Sequence, residues 1–179
     1  MIKKIVVVGM VLMLTACGGG GSGSSSGTSV TTVSGTASEG ALITGARVLL
    51  KDANGKSAAD ATTSATGSYS IDVTGLSAPF LVAVTGNNGT YVTLAQTAGT
   101  ANINPITTTV VALAAANSDA LAVFTKLTPA QIATINNNYA AKTALVTTAL
   151  QTALPAGVTA ASYFTGYSGP HISDNSLRW

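Results

Sequence analysis

Charge is the first thing this sequence lacks. Only 8% of its 179 residues are Asp, Glu, Lys or Arg, and apart from Lys3-Lys4 the basic residues stand singly. A protein that grips nucleic acid or an anionic membrane face needs clustered Lys and Arg to neutralise phosphates, so neither partner is expected. Cysteine occurs once, as Cys17, and histidine once, as His171. With a single cysteine no disulfide can close within the chain, and the fold must hold by burial. A Ser-His-Asp triad would have to use His171. That residue follows Gly169-Pro170 in a stretch without periodicity, and no G-x-S-x-G elbow stands between a strand and a helix. The acidic residues Glu39, Asp52, Asp60, Asp72, Asp119 and Asp174 are scattered, mostly in turns or on wet faces, whereas a metal site needs them clustered. The four glycines from Gly18 precede no strand–helix unit and make no phosphate loop. No catalytic residue, cofactor or metal ligand is expected, and the chain is not read as an enzyme.

What the chain does have is a distinctive start, MIKKIVVVGMVLMLTAC. Lys3 and Lys4 are followed by an apolar run from Ile5 to Leu14, broken only by Gly9, and then by small residues before Cys17. Charge, apolar core and small-residue site, in that order, mark a secretory signal over residues 1–16. The run is roughly ten residues long, half of the ~20 that a spanning helix requires. Without this segment the chain keeps six basic residues (Arg47, Lys51, Lys56, Lys126, Lys142 and Arg178) against six acidic ones, so its net charge is zero.

The tetrapeptide Leu14-Thr15-Ala16-Cys17 resembles the lipobox of bacterial lipoproteins. The resemblance implies cleavage between Ala16 and Cys17, a diacylglyceryl group on the Cys17 thiol and acylation of the freed amine. Two or more acyl chains hold a protein stably to a bilayer where one does so only marginally. Gly18 stands where aspartate favours inner-membrane retention in the common Gram-negative type, which implies an outer-membrane lipoprotein of the cell envelope. Residues 17–29, the cysteine and GGGGSGSSSGTS, read as a Gly/Ser tether with nothing to bury. A coil of about a dozen residues has a typical end-to-end distance near 20 Å.

From about Val30 to Asn102 the pattern has a period of two. Ala46, Val48 and Leu50 alternate with Arg47, Leu49 and Lys51; Tyr69, Ile71 and Val73 alternate with Ser68, Ser70 and Asp72. Phe80–Val84 is apolar at every position, the mark of a central strand, and Tyr91, Val92 and Leu94 continue as another. Asn54-Gly55 and Asn87-Asn88-Gly89 supply hairpin turns. Short strands at this spacing predict a small antiparallel sandwich over residues 30–102. Val33-Ser34-Gly35, Gly45-Ala46-Arg47-Val48, Asp52-Ala53-Asn54-Gly55 and the run from Thr63 through Gly67 to Tyr69 are similar to the carboxypeptidase regulatory-like domain. That resemblance covers roughly residues 32–85 and implies an Ig-like, prealbumin-like (transthyretin-like) β-sandwich without peptidase residues. The turn after Thr63 often carries an acidic residue in that family; Ser64 and Thr66 stand there instead. Tyr69 is read as a core aromatic with its hydroxyl at the rim.

Residues 103–155 read as two to three helices, so the class is mainly β with an α tail. The segment GTANINPITT is similar to one that often follows this β domain in large bacterial lipoproteins. Asn104 is placed as an N-cap with Pro105 at the first helical position. Ile106, Val110 and Leu113 are expected on one face, then Leu121 and Phe124 in a short second helix. Thr128-Pro129-Ala130-Gln131 is a capping box, with Leu127 and Ile132 set for a hydrophobic staple. The stripe Ile132, Ile135, Tyr139, Val146, Leu150 runs up to Leu154, where Pro155 and Gly157 end it. It could fill a partner's groove, but packing on the preceding helix and a sheet face is favoured. Asn136-Asn137-Asn138 is expected to weaken its middle, which leaves a break in two open. Residues 156–179 hold Tyr163, Phe164, Tyr167 and Trp179 without a period, and the abrupt ending SGPHISDNSLRW leaves a shortened gene product open. Function narrows to two classes. One is a non-enzymatic envelope module for adhesion, binding of an envelope protein or polysaccharide, or structure. The other is an accessory that positions a hydrolase or an assembly machine. An exposed aromatic pair on a sheet face would favour glycan binding.

Overall fold

The computed structural model describes residues 31–154 and 159–164. The signal, the tether, Cys17, Pro155, Gly157, Tyr167, His171, Asp174 and Trp179 lie outside them. Seven strands come first: β1 (Thr32–Thr36), β2 (Arg47–Lys51), β3 (Ala61–Thr62), β4 (Ser68–Asp72), β5 (Phe80–Thr85), β6 (Thr90–Ala95) and β7 (Gly99–Thr100). Helices α1 (Pro105–Ala115), α2 (Ala120–Thr125) and α3 (Pro129–Gln151) and a 3-10 turn at Ala160–Tyr163 follow. The strands form one sheet in the order β4-β1-β7 and a second in the order β3-β2-β5-β6. All pairings are antiparallel except β1 with β7, which is parallel. The expected sandwich followed by helices is the architecture found.

The alternation read in β2 and β4 sets the first core. Val48 and Leu50, Tyr69 and Ile71, and Phe80, Val82 and Val84 meet Val33 and Ile103 between the two sheets. β5 is apolar from Phe80 to Val84 because that stretch is covered on both faces. Its other residues, Leu81 and Ala83, join Val92 and Leu94 of β6 in a second core under Val110, Val111, Phe124, Ile132 and Ile135 of the helices. Each such side chain taken fully out of water contributes about 1.5–3 kcal/mol. The molecule is thus three layers, sheet–sheet–helix, and the layers share β5.

Edge strand β6 is covered by hydroxyls. The Val92 N–H donates to Thr108 Oγ1 at 3.0 Å, and Thr107 Oγ1 donates to the Val92 carbonyl at 3.0 Å. Further along, burial raises the Tyr139 pKa, and the Thr93 hydroxyl and the Leu94 N–H beside it partly offset that rise. The helices therefore satisfy the outward backbone groups that an open edge would present for pairing. Thr107, fully buried, also closes the α1 capping box with Asn104. Thr107→Val keeps the volume but strands these groups. A loss of roughly 1–3 kcal/mol is expected, lowering the thermal midpoint by roughly 3–10 °C. An unchanged midpoint by calorimetry would show that the edge needs no such cover.

The helix starts stand where the capping signals put them. Asn104 caps α1 and Thr128 caps α3, each with a reciprocal box and proline in the first turn, and Leu127 and Ile132 lie in one cluster. Several expectations are corrected. The buried face of α1 is Thr107, Val110, Val111 and Ala114, while Leu113 is exposed. In α2 the buried residues are Ala120, Val123 and Phe124, and Leu121 is exposed. A short helix against a sheet buries whichever side the cap orientation turns inward, and its apolar residues outnumber the places available. The three asparagines do not break α3, which is continuous over 23 residues. Asn136 Oδ1 accepts from Gln96 Nε2 at 3.0 Å, and Asn138 Nδ2 donates to the Ala114 carbonyl at 3.1 Å. These tertiary bonds offset a propensity penalty of a few tenths of a kcal/mol per asparagine. The Tyr69 hydroxyl is not at the rim; it is buried and donates to the Ala101 carbonyl, and burial raises its pKa well above the usual phenol value.

Candidate functional site

The register gives the sandwich two poles. β1 leaves Thr31 and runs to Ala37, where an isolated parallel bridge joins Ala37 to Ile103. Pairing of β4 with β1 sets Asp72 beside Thr32 and Ser68 beside Thr36. Val73 N–H donates to the Thr31 carbonyl, so the chain enters at the pole that also holds the turns at residues 52–57 and 73–77. The opposite pole carries the loop at residues 38–45, the turn at residues 63–67 and the β5–β6 hairpin tip at residues 86–89.

The distal loops are tied together by one carboxylate. Glu39 accepts the Asn87 N–H at 3.1 Å and the Asn88 N–H at 3.0 Å. It leaves no room above Gly86, where an added Cβ would come within 2.5 Å of the carboxylate. Tyr91 also hydrogen-bonds Glu39, and burial, the nearby charge and that bond together raise the tyrosine's pKa. Beside this, the hydroxyls of Ser64, Thr66 and Ser68 lie 2.7–3.3 Å from one another around Gly67. These hydroxyls are neutral groups that satisfy each other.

The remaining carboxylates each serve local structure. Asp52 is buried and accepts three backbone N–H groups, from Asn54, Lys56 and Ser77. Burial alone would raise its pKa; the N–H groups outweigh it and hold the carboxyl below the ordinary range. Asp60 pairs with Arg47 at the surface, a type of contact that contributes little. Asp72 accepts from the Thr74 hydroxyl and the Thr74 N–H, which lower its pKa. Asp119 caps α2. Among the described residues no three His, Cys, Asp or Glu come together in a way that could hold a metal. The cation Lys51 is also engaged: its Nζ donates to the carbonyls of Phe124 and Thr125 at 2.9 and 3.2 Å and lies 5.1 Å from the Phe124 ring centre. It stitches β2 to the C-terminal end of α2.

Two depressions mark the helical layer. A shallow groove of about 520 Å³ runs along α3 between Gln96 and Tyr139, Ala140, Thr143, Ala144, Thr147 and Thr148. Thr143 Oγ1, buried there, has no hydrogen-bond partner among the described residues. A smaller one of about 180 Å³ lies between the end of α1 and the start of α3. Neither contains a titratable carboxylate, histidine or cysteine. The outer face of the β4-β1-β7 sheet is a hydroxyl surface, with Ser34 between Ser70 and Thr100, Thr36 beside Ser68, and Thr32 beside Asp72. No exposed pair of aromatic residues lies on a sheet face among the described residues, so the feature that would favour glycan binding is not on these faces. No helix among the described residues is long and apolar enough to cross a membrane.

Sequence reading missed both the Glu39 tie and the Lys51 stitch. Each joins residues more than forty positions apart, and no local pattern announces such a bond. Cys17, the one site residue expected from the sequence, lies outside the described residues. No protein-family model, curated protein or solved structure matches this chain.

Proposed function

We propose that this chain is a lipid-anchored lipoprotein of the cell envelope, placed at the outer membrane through lipid on Cys17. Its folded part, similar in sequence to a carboxypeptidase regulatory-like domain, acts as a non-enzymatic binding, adhesion or structural module. The observation that carries the reading is the placement of the single cysteine, directly after a charged, apolar and small-residue sequence and before a Gly/Ser tract. The interior is in keeping with it. Asp52, Thr63, Asn102, Asn104 and Thr107 are buried polar side chains that hydrogen-bond within the fold. The described surface carries few charges, and its hydroxyl face and distal loops are open.

Cys17→Ser tests the anchor. The parent chain is expected in the membrane fraction of its host, with an intact mass that begins at Cys17 and includes acyl groups. The variant is expected in the soluble fraction with no acyl mass. A variant that stays with the membrane would show that something other than the cysteine holds it, and an unlipidated parent would leave a secreted sandwich.

A further inference from the structure

The chain contains the dipeptide Asn-Gly twice among the described residues, at Asn54-Gly55 and at Asn88-Gly89, and the two turns treat it oppositely. In the first, the Gly55 N–H donates to the Asp52 carbonyl at 2.9 Å. The Asn54 N–H is held by the Asp52 carboxylate at 2.8 Å, as the Asn88 N–H is by Glu39 at 3.0 Å, so the two turns differ at the glycine N–H that would attack. At the β5–β6 tip, the only backbone bond of the turn is Gly86 N–H to the Gly89 carbonyl. The Gly89 N–H has no acceptor among the described residues, and the exposed Asn88 side chain has no partner there either. Gly89, at φ +139°, has no Cβ to obstruct an approach, and nothing lies within 4 Å of where one would be.

We propose that Asn88-Gly89 is a site of spontaneous deamidation, while Asn54-Gly55 is protected by its hydrogen bonds. The Gly89 amide nitrogen loses its proton and attacks Cγ of Asn88. The side-chain nitrogen leaves as ammonia, and a succinimide ring remains. Water opens the ring at one carbonyl or the other, giving aspartate or isoaspartate at position 88. No electrons are transferred, and water is the only co-reactant. The product places a second negative charge beside Glu39, whose carboxylate holds the Asn87 and Asn88 N–H groups. Isoaspartate also adds a backbone atom to the turn those bonds shape. The distal pole thereby gains a time-dependent chemical state that the pole holding the Asn54-Gly55 turn does not share.

The two dipeptides serve as each other's control in one sample. The full chain is incubated folded in mildly alkaline buffer, which favours the deprotonated amide, and sampled over time by peptide mapping. Conversion at Asn88 is expected at a rate at least about tenfold above that at Asn54, the factor contributed by one to two hydrogen bonds. In urea the two rates are expected to converge, because the protecting bonds are gone. Equal rates in the folded chain, faster loss at Asn54, or an intact Asn88 after the unfolded chain has reacted at both sites would each overturn the proposal.

Discussion

Gly35→Ala is expected to remove much of the stability of the fold. Gly35 pairs with Tyr69 across the β1–β4 ladder. On its other side it lies against Ala101, where a Cβ would collide with the carbonyl oxygen and come within 2.7 Å of the carbonyl carbon. Two bonds converge on that residue. The Ala101 N–H donates to the Ser34 carbonyl at 2.7 Å, and its carbonyl accepts from the buried Tyr69 hydroxyl. An added methyl must push the β7 segment away, which forfeits both bonds along with the packing of Ile103 behind them. Overpacking costs about 1–3 kcal/mol, and each stranded buried group about the same again. A loss of roughly 3–5 kcal/mol is expected, against a total of about 5–15 kcal/mol for a domain of ordinary stability. Urea unfolding followed by circular dichroism reads it directly. Gly40→Ala is the control: its φ of +95° makes alanine strained, but no atom lies within 4 Å, so about 1 kcal/mol is expected. If the two variants unfolded at the same urea concentration, the collision at Ala101 would not be the reason for glycine at position 35.

Asp52→Ala is the second large effect expected. One carboxylate organises the turn after β2 and reaches across to the turn after β4, accepting from Asn54 and Lys56 at 2.8 Å and from Ser77 at 3.1 Å. Alanine leaves those three N–H groups to water or to nothing, at a cost of roughly 2–4 kcal/mol. Asp52→Asn keeps an acceptor without the charge and is expected to cost less. The pH dependence has a definite sign. The folded carboxyl titrates below its unfolded value, which is about 3.9. Its contribution is therefore complete above that value and is lost as pH falls through the lower folded one. Thermal midpoints recorded between neutral pH and about pH 2.5 are expected to fall less steeply for Asp52→Ala than for the parent. Parallel curves would remove Asp52 from the acid response. Asp72 titrates in the same direction through Thr74, so the variant's curve is expected to keep some slope.

These two residues show which parts of the fold were legible. Gly35 and Asp52 stand in the short motifs Val33-Ser34-Gly35 and Asp52-Ala53-Asn54-Gly55, and the turns, strands and caps read from such motifs lie where they were expected. β5 was legible for a different reason: five apolar positions in a row can only be covered on both faces. The helix faces of α1 and α2 were not, because apolar residues surround both helices and periodicity cannot rank them; the Asn104 and Asp119 caps and the bond from Thr107 to the β6 edge decide the rotation. The Asn136–Asn138 stretch was misread because its compensation comes from Gln96 and Ala114, distant in sequence. The Tyr69 hydroxyl was misplaced because its acceptor, Ala101, directly follows β7, a strand of two residues, Gly99 and Thr100, with no pattern of its own. As for a site, the sequence points to Cys17 alone, by position and neighbours, and local chemistry of that kind needs no tertiary structure to be read.

The sharing of β5 between two cores also bears on the order of events as the chain is made and moved. Strands β1 to β7 are complete once residue 100 has emerged, yet Leu81, Ala83, Val92 and Leu94 still lack their cover. That cover comes from residues as late as Val146. A chain passing end-first through a narrow translocation channel cannot close its interior until nearly the whole described length is through. If the chain is exported as proposed, the half-made sandwich waits with an oily face outward, and an escort during that interval would have to shield that face rather than the finished surface.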